Sequence, residues 1–130
     1  MKLWDTNVVS ELCRPSPDPA VLTWVESEKS IAISVVTVDE LTFGPTWRPR
    51  PRINAWLETF FADYCEVLDI TEVIARLAGE LRGRLRARGE VRTQADTWIA
   101  ATARVHGLPL VTRNVKDFQG CGIEIVDPFE

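Results

Sequence analysis

The chain has 130 residues, enough for one domain of ordinary size and too few for two separate cores. Hydrophobic residues at 45% and charged residues at 26% exclude a disordered or collagen-like chain. The net charge of −4 argues against holding nucleic acid by bulk electrostatics, and no apolar run approaches the roughly 20 residues of a membrane span.

Lys2–Trp4 is predicted to be a short strand, followed by a helix through Val8, Val9 and Leu12 that stops at Arg14-Pro15-Ser16-Pro17. Pro19 to about Glu28 reads as a helix with Val21, Leu22 and Val25 on one face. Ile31–Val36 is an apolar, β-branched run suited to a strand buried on both faces. Thr37 then opens a short helix ending near Gly44-Pro45, and Pro45–Pro51 reads as a loop. Helical spacing resumes over Ile53–Phe61 through Ile53, Trp56, Leu57, Phe60 and Phe61. Glu66–Leu68 is a strand, and about Glu72 to Arg88 is a helix with Ile74, Leu77, Ala78, Leu81 and Leu85 in one stripe. Ala95–His106 is apolar nearly all round and reads as a buried helix stopped by Gly107; Pro109–Val111 and Glu124–Val126 are the last strands. This alternation predicts a three-layer α/β/α sandwich around a mainly parallel sheet of four or five strands, with residues 1–130 in one domain. The opening lacks the long apolar region of a signal peptide, so the cytoplasm is the expected compartment.

Several chemistries fall away on composition and spacing. Cys13, Cys65 and Cys121 are widely separated, with no C-x-x-C and a single His, and read as reduced thiols rather than a zinc site. His106, just before Gly107, suits a helix end, and one His excludes two-histidine ribonuclease chemistry. No G-x-S-x-G supports a serine hydrolase. Gly120-Cys121-Gly122 precedes a strand rather than a helix, so it is no phosphate loop. Asp5-Thr6-Asn7 lacks the second acid of aspartyl-phosphate sites, and Lys116 alone gives thin support to a receiver-type domain. Arginines gather at Arg48, Arg50 and Arg52 and again at Arg82, Arg84, Arg86, Arg88 and Arg92; these clusters either grip phosphate locally or are solvated surface.

In a parallel sheet the binding crevice lies outside the carboxyl ends of the strands. Four acids fall there or at neighbouring helix starts: Asp5 after the first strand, Glu40 after the second, Asp96 at the start of the buried helix, and Asp117 after Pro109–Val111. Each has a plain explanation as a helix start. Thr37-x-x-Glu40 has capping-box spacing, Thr93-x-x-Asp96 and Asn114-x-x-Asp117 resemble it, and Asp5 suits an N-cap. Together they point elsewhere. At about 5 Å and an effective dielectric of about 20, two carboxylates repel by roughly 3 kcal/mol, a cost that a shared cation offsets. Oxygen donors without Cys or His suit Mg²⁺, with Mn²⁺ as substitute.

These stretches carry a resemblance over nearly the whole chain. Met1-Lys2-Leu3-Trp4-Asp5-Thr6-Asn7-Val8-Val9-Ser10-Glu11-Leu12 resembles the opening motif of PIN-domain ribonucleases, and Ile33–Leu41 resembles their second acidic motif. Ala95-Asp96-Thr97-Trp98-Ile99-Ala100-Ala101-Thr102-Ala103 is similar to the third, and Leu110-Val111-Thr112-Arg113-Asn114-Val115-Lys116-Asp117-Phe118 to the fourth. Order and spacing are most similar to VapC-type toxins of bacterial type II toxin–antitoxin pairs. The resemblance implies an acidic metal site of Asp5, Glu40, Asp96 and Asp117. Many relatives carry an acid where Asn114 stands, which leaves open whether Asn114 or Asp117 faces the metal. Thr6 and Thr112 are implied as hydrogen-bonding support, Asn7 as a brace of the strand-to-helix turn, and Arg14, Arg82 and Arg113 as RNA contacts. The implied activity is Mg²⁺-dependent endonucleolytic cleavage of RNA by a metal-activated water, in a homodimer masked by a cognate antitoxin that Phe43, Trp47 and Trp56 could receive. The competing expectation is a PIN-like module that binds RNA or protein without cutting it.

Overall fold

The computed structural model describes every residue from Met1 to Glu130. Five strands form one sheet: β1 (Lys2–Trp4), β2 (Ile31–Ser34), β3 (Glu66–Leu68), β4 (Leu110–Val111) and β5 (Ile125–Val126). Their order is β3-β2-β1-β4-β5 and every pairing is parallel. The helices are α1 (Thr6–Leu12), α2 (Pro19–Glu26), α3 (Val35–Trp47), α4 (Pro51–Thr59), α5 (Glu72–Ala87) and α6 (Gln94–His106). A π-helical turn over Phe60–Tyr64 follows α4, and a 3₁₀ turn over Val115–Phe118 follows β4.

Successive strand residues point to opposite faces, and the core divides accordingly. Leu3, Ala32 and Leu110 pack with Ile74, Leu81, Leu85, Ile99 and Ala100 of α5 and α6. Their neighbours Trp4, Ile33 and Val111 pack on the other face with Val8, Val9, Val21, Leu41 and Leu57, from the first four helices. This is the three-layer sandwich that the alternation of elements predicts. No helix is long and apolar enough to cross a membrane.

Local chemistry sets the helix ends. Asp5, Asp18, Ser34, Thr71 and Thr93 each accept a backbone N–H at the start of a helix. Gly107 closes α6 at φ +65°, a conformation that a Cβ disfavours. Two segments depart from expectation. The apolar run ends as strand at Ser34, whose Oγ accepts the Val36 N–H at 3.1 Å, so Val35 and Val36 already belong to α3. Thr37 is therefore a buried residue inside the first turn rather than a cap. The stretch from Pro45 is also not a loop: α3 runs through Gly44 and Pro45 to Trp47. Pro45 forfeits its own hydrogen bond near the helix end, where few later bonds depend on it. Thr42 and Thr46 hydroxyls bond to the carbonyls one turn back, and only Arg48–Arg50 link α3 to α4. Likewise Asn114 makes no side-chain cap bond, so the Asn114/Asp117 spacing is not a capping box.

The three cysteines are free; Cys121 is buried, and Cys13 and Cys65 are half-buried. Burial pushes the Cys13 and Cys65 thiols up to about 11, which leaves them protonated and poorly nucleophilic at neutral pH.

The α5–α6 layer makes a direct test of the packing. Leu85, 1% exposed among Leu81, Ile99 and their neighbours, is expected to cost about 2–5 kcal/mol of stability when replaced in Leu85→Ala, measured by urea unfolding.

Candidate active site at the carboxyl end of the sheet

The strand order determines where the site lies. From β1 the chain adds β2 and β3 on one side, then β4 and β5 on the other. Connections thus diverge between β1 and β4, the switch point at which a parallel sheet opens a crevice. Asp5 follows β1 and Thr112 follows β4, so both enter this crevice from adjacent strands.

Asp5 is almost fully buried, at 5% exposure, and both its oxygens are engaged. Oδ1 accepts the Thr6 backbone N–H at 2.8 Å. Oδ2 accepts the Thr112 hydroxyl at 2.8 Å and the Asn7 amide at 3.1 Å. Asn7 also donates to Thr112 Oγ1 at 3.1 Å and accepts the Arg113 N–H at 3.1 Å, bracing the β1–α1 turn against the segment after β4. The Asn114 N–H donates to Thr112 Oγ1 at 3.0 Å. Glu40, exposed on the second turn of α3, accepts the Thr6 hydroxyl at 2.6 Å; Thr6 Oγ1 also lies 3.1 Å from Thr37 Oγ1. Asp96 stands in the first turn of α6, its N–H bonded to Thr93 Oγ1.

One cleft of about 460 Å³ collects these groups: Asp5, Glu40, Asp96, Thr6, Asn114 and Arg14 line it, together with Asn7, Ser10 and Glu11. No hydrophobic residue lines it, and Arg14 is its one cation. Thr112 lies buried beneath, holding Asp5. Asp117 does not line the cleft, but its charge adds to the raised proton affinity of Asp96. Arg82 stands on the exposed face of α5 outside the cleft, and Arg113 turns its guanidinium onto the Phe129 ring, 3.9 Å from the centroid. The residue that sequence spacing left unmarked is Glu11, a buried carboxylate; its i,i+3 relation to Arg14 is the available signal.

The electrostatics show that the acids sense one another. Burial pushes the Asp5 carboxyl from its ordinary 3.8 up to about 6; hydrogen bonds from Thr112 and Thr6 oppose this, and the charges of Asp96 and Glu40 add to it. Asp96 is raised as well, chiefly by burial, with Asp117 and Glu40 adding repulsion while the Thr93 bond and Arg92 pull it down. The donors available to a ligand are carboxylate, hydroxyl and amide oxygens, a set suited to a hard divalent cation such as Mg²⁺ or Mn²⁺. No three of the acids close on one point as a ready-made cage. That spacing fits an ion held by one or two carboxylates and reaching the others through its own waters, the habit of Mg²⁺.

This sheet order and acidic crevice define a class. The PIN domain family profile matches residues 2–119, and the chain belongs to that family. It is 34% identical to VapC ribonuclease Y4jK of Sinorhizobium fredii, covering all of this chain and 99% of the relative. Its fold superposes on the crystal structure of FitAcB from Neisseria gonorrhoeae with a TM-score of 0.89 at 29% identity, covering 100% of this chain and 99% of the other. A toxin-antitoxin complex from Klebsiella pneumoniae matches at a TM-score of 0.76 and 29% identity, over 100% and 99% of the two chains. Within the family, the likeness is to the VapC branch.

The Asp5 environment has a measurable consequence. The folded chain holds this proton more tightly than the unfolded chain does, so the contribution of Asp5 to stability is fully present below its ordinary value and is lost as pH rises through about 6. The difference corresponds to roughly 3 kcal/mol against the ionised folded form. In chelator, the wild-type melting temperature is expected to be lower at pH 7 than at pH 5. Asp5→Asn is expected to flatten that dependence and to match or exceed wild-type stability at pH 7, read by thermal denaturation at both pH values.

Proposed function

We propose that this chain is the endoribonuclease toxin of a type II toxin–antitoxin pair, cutting RNA with Mg²⁺ held in the cleft of Asp5, Glu40 and Asp96, with Asp117 adding negative charge from outside it. The observation that carries the reading is the single cleft lined by Asp5, Glu40 and Asp96, in which the charges of Asp96 and Glu40 add to the raised proton affinity of Asp5 and that of Glu40 to the raised proton affinity of Asp96. Such a cluster is unfavourable without a cation and useful with one. When bound, Mg²⁺, or Mn²⁺ in its place, offsets the carboxylate charge, holds a phosphate oxygen and lowers the pKa of a water.

The chain's own groups do the positioning. Thr112, Asn7 and the Thr6 N–H fix both oxygens of Asp5, so its orientation is set before any ligand arrives. Thr6 draws Glu40 toward Asp5 from α3. Asp96 faces the cleft from the start of α6, and the charge of Asp117 acts on it from outside the cleft. Asn114 offers a neutral amide oxygen at the rim in place of a further charge. Arg14 supplies positive charge for the RNA backbone, with Arg82 and Arg113 as outer contacts.

Support for the partner comes from the Klebsiella pneumoniae toxin-antitoxin complex and for the substrate from the ribonuclease of Sinorhizobium fredii. The same reading has residues 1–130 acting as a single domain in the cytoplasm, as a homodimer masked by an antitoxin. Phe43, Trp47 and Trp56, all exposed, suit that contact.

The decisive experiment is cleavage of a mixed RNA pool with mapped ends, in Mg²⁺ and in chelator. Wild type is expected to cut only with metal, and Asp96→Ala to lose activity on the order of a hundredfold or more. Metal at about one hundred times its dissociation constant is expected to raise stability by about 2.7 kcal/mol. No cleavage and no thermal shift would favour the non-catalytic module. Expression from the native operon is expected to yield the chain with a small partner protein; a chain that purifies alone and does cells no harm would count against the toxin assignment.

A further inference from the structure

Glu11 is an acid of the cleft for which the proposed reaction has no use. It is 5% exposed and lines the same space as Asp5 and Glu40, where another carboxylate adds repulsion. Its bonds give it a different task. Both carboxylate oxygens lie 3.1 Å from Arg14 Nη1, and Oε2 also accepts the Asp18 N–H at 2.8 Å, pinning the turn that leads into α2. Arg14 stands just past the end of α1, its side chain 63% exposed, and its other guanidinium nitrogens make no hydrogen bond within the chain. It also borders a second cavity of about 460 Å³, shared with Trp47, Arg48 and Arg50, and so sits where the two spaces meet.

We propose that Glu11 is a positioning residue that fixes Arg14 at the rim of the acidic cleft, where it holds the RNA phosphate next to the one being cleaved. This rests on the ribonuclease reading above. An untethered guanidinium in the cleft that Asp5 and Glu40 also line would be free to fold onto those acids and cancel them. Glu11 satisfies one nitrogen and leaves the remaining donors free on an exposed side chain, a fork that matches two phosphate oxygens. Ordering the side chain in advance also removes part of the entropy cost of binding. A cleft of carboxylates thereby gains a fixed cation where a polyanion must enter.

The test uses a labelled single-stranded RNA of mixed sequence, with binding read by fluorescence anisotropy in chelator and cleavage kinetics in Mg²⁺. Glu11→Gln and Arg14→Ala are each expected to weaken binding and raise KM by roughly tenfold, as for a lost charge-assisted hydrogen bond, with kcat changed little. Each is expected to lower the slope of log affinity against log salt by about 0.7, one phosphate contact. The double variant is expected to be no worse than either single one, and Arg14→Lys to recover part of the loss. Arg14→Ala touches no core residue, so it remains informative should Glu11→Gln fold poorly. Wild-type RNA affinity and KM in Arg14→Ala, or full multiplication of the two effects in the double variant, would overturn the inference while wild-type cleavage keeps the ribonuclease reading intact. If wild type neither binds nor cuts the RNA, the ribonuclease reading itself fails, and the inference with it.

Discussion

A buried carboxylate at the switch point of a parallel sheet is the constraint around which this molecule is arranged. Asp5 follows the central strand with almost no access to solvent, yet burial and two neighbouring acids oppose its charge. Three donors from two segments compensate in part: the Thr6 N–H and the Asn7 amide at the start of α1, and the Thr112 hydroxyl after β4. Two of them do further work, since Asn7 bonds the segment after β4 and Thr112 accepts the Asn114 N–H. The network that orients the acid is therefore also the one that joins β1–α1 to β4. Structural and chemical demands meet in the same few atoms.

The distribution of charge over the rest of the chain follows a different logic. Much of the second arginine cluster is spent at the surface: Arg84 pairs with Glu80, and Arg88 and Arg92 with Glu90, in exposed or loosely closed ion pairs worth little in stability. Arg92 is the exception within that cluster, because its charge also lowers the proton affinity of Asp96. A net acidic protein can thus place its few consequential cations beside the acids they moderate, leaving overall charge a poor guide to what the cleft attracts.

Most of the architecture was legible in the sequence because periodicity and strand–helix alternation are strong over long elements. The stripe of Ile74, Ala78, Leu81 and Leu85 and the apolar run of α6 pack as expected, and Asp5, Glu40 and Asp96 share a cleft because a parallel sheet gathers helix starts at one edge. What escaped was decided by competition between local signals. Ile31–Val36 is apolar except for Ser34, and a single hydroxyl inside a β-branched, apolar run does not by itself mark the point where the strand stops and the cap begins. Proline and glycine together usually end a helix, but at Gly44-Pro45 packing of Leu41 and side-chain bonds from Thr42 and Thr46 carry α3 onward. Arg113 sits in an acidic motif yet stacks on Phe129, a partner sixteen positions away that no local pattern announces. Nothing in the spacing of a short helix marks Glu11 as buried, and its bond to the Asp18 N–H belongs to a turn seven residues on.

The strand pairing also orders events in time. Asp5 lies five residues from the start of the chain, but Thr112, which holds it, depends on β4, and β4 is itself bonded to β5 through Leu110–Glu124 and Thr112–Val126 contacts. The acid and the hydroxyl that orients it are 107 positions apart, so a growing polypeptide carries Asp5 long before its partner exists. The cleft is therefore a product of long-range pairing, and damage to β4 or β5 reaches the acid as surely as damage to β1.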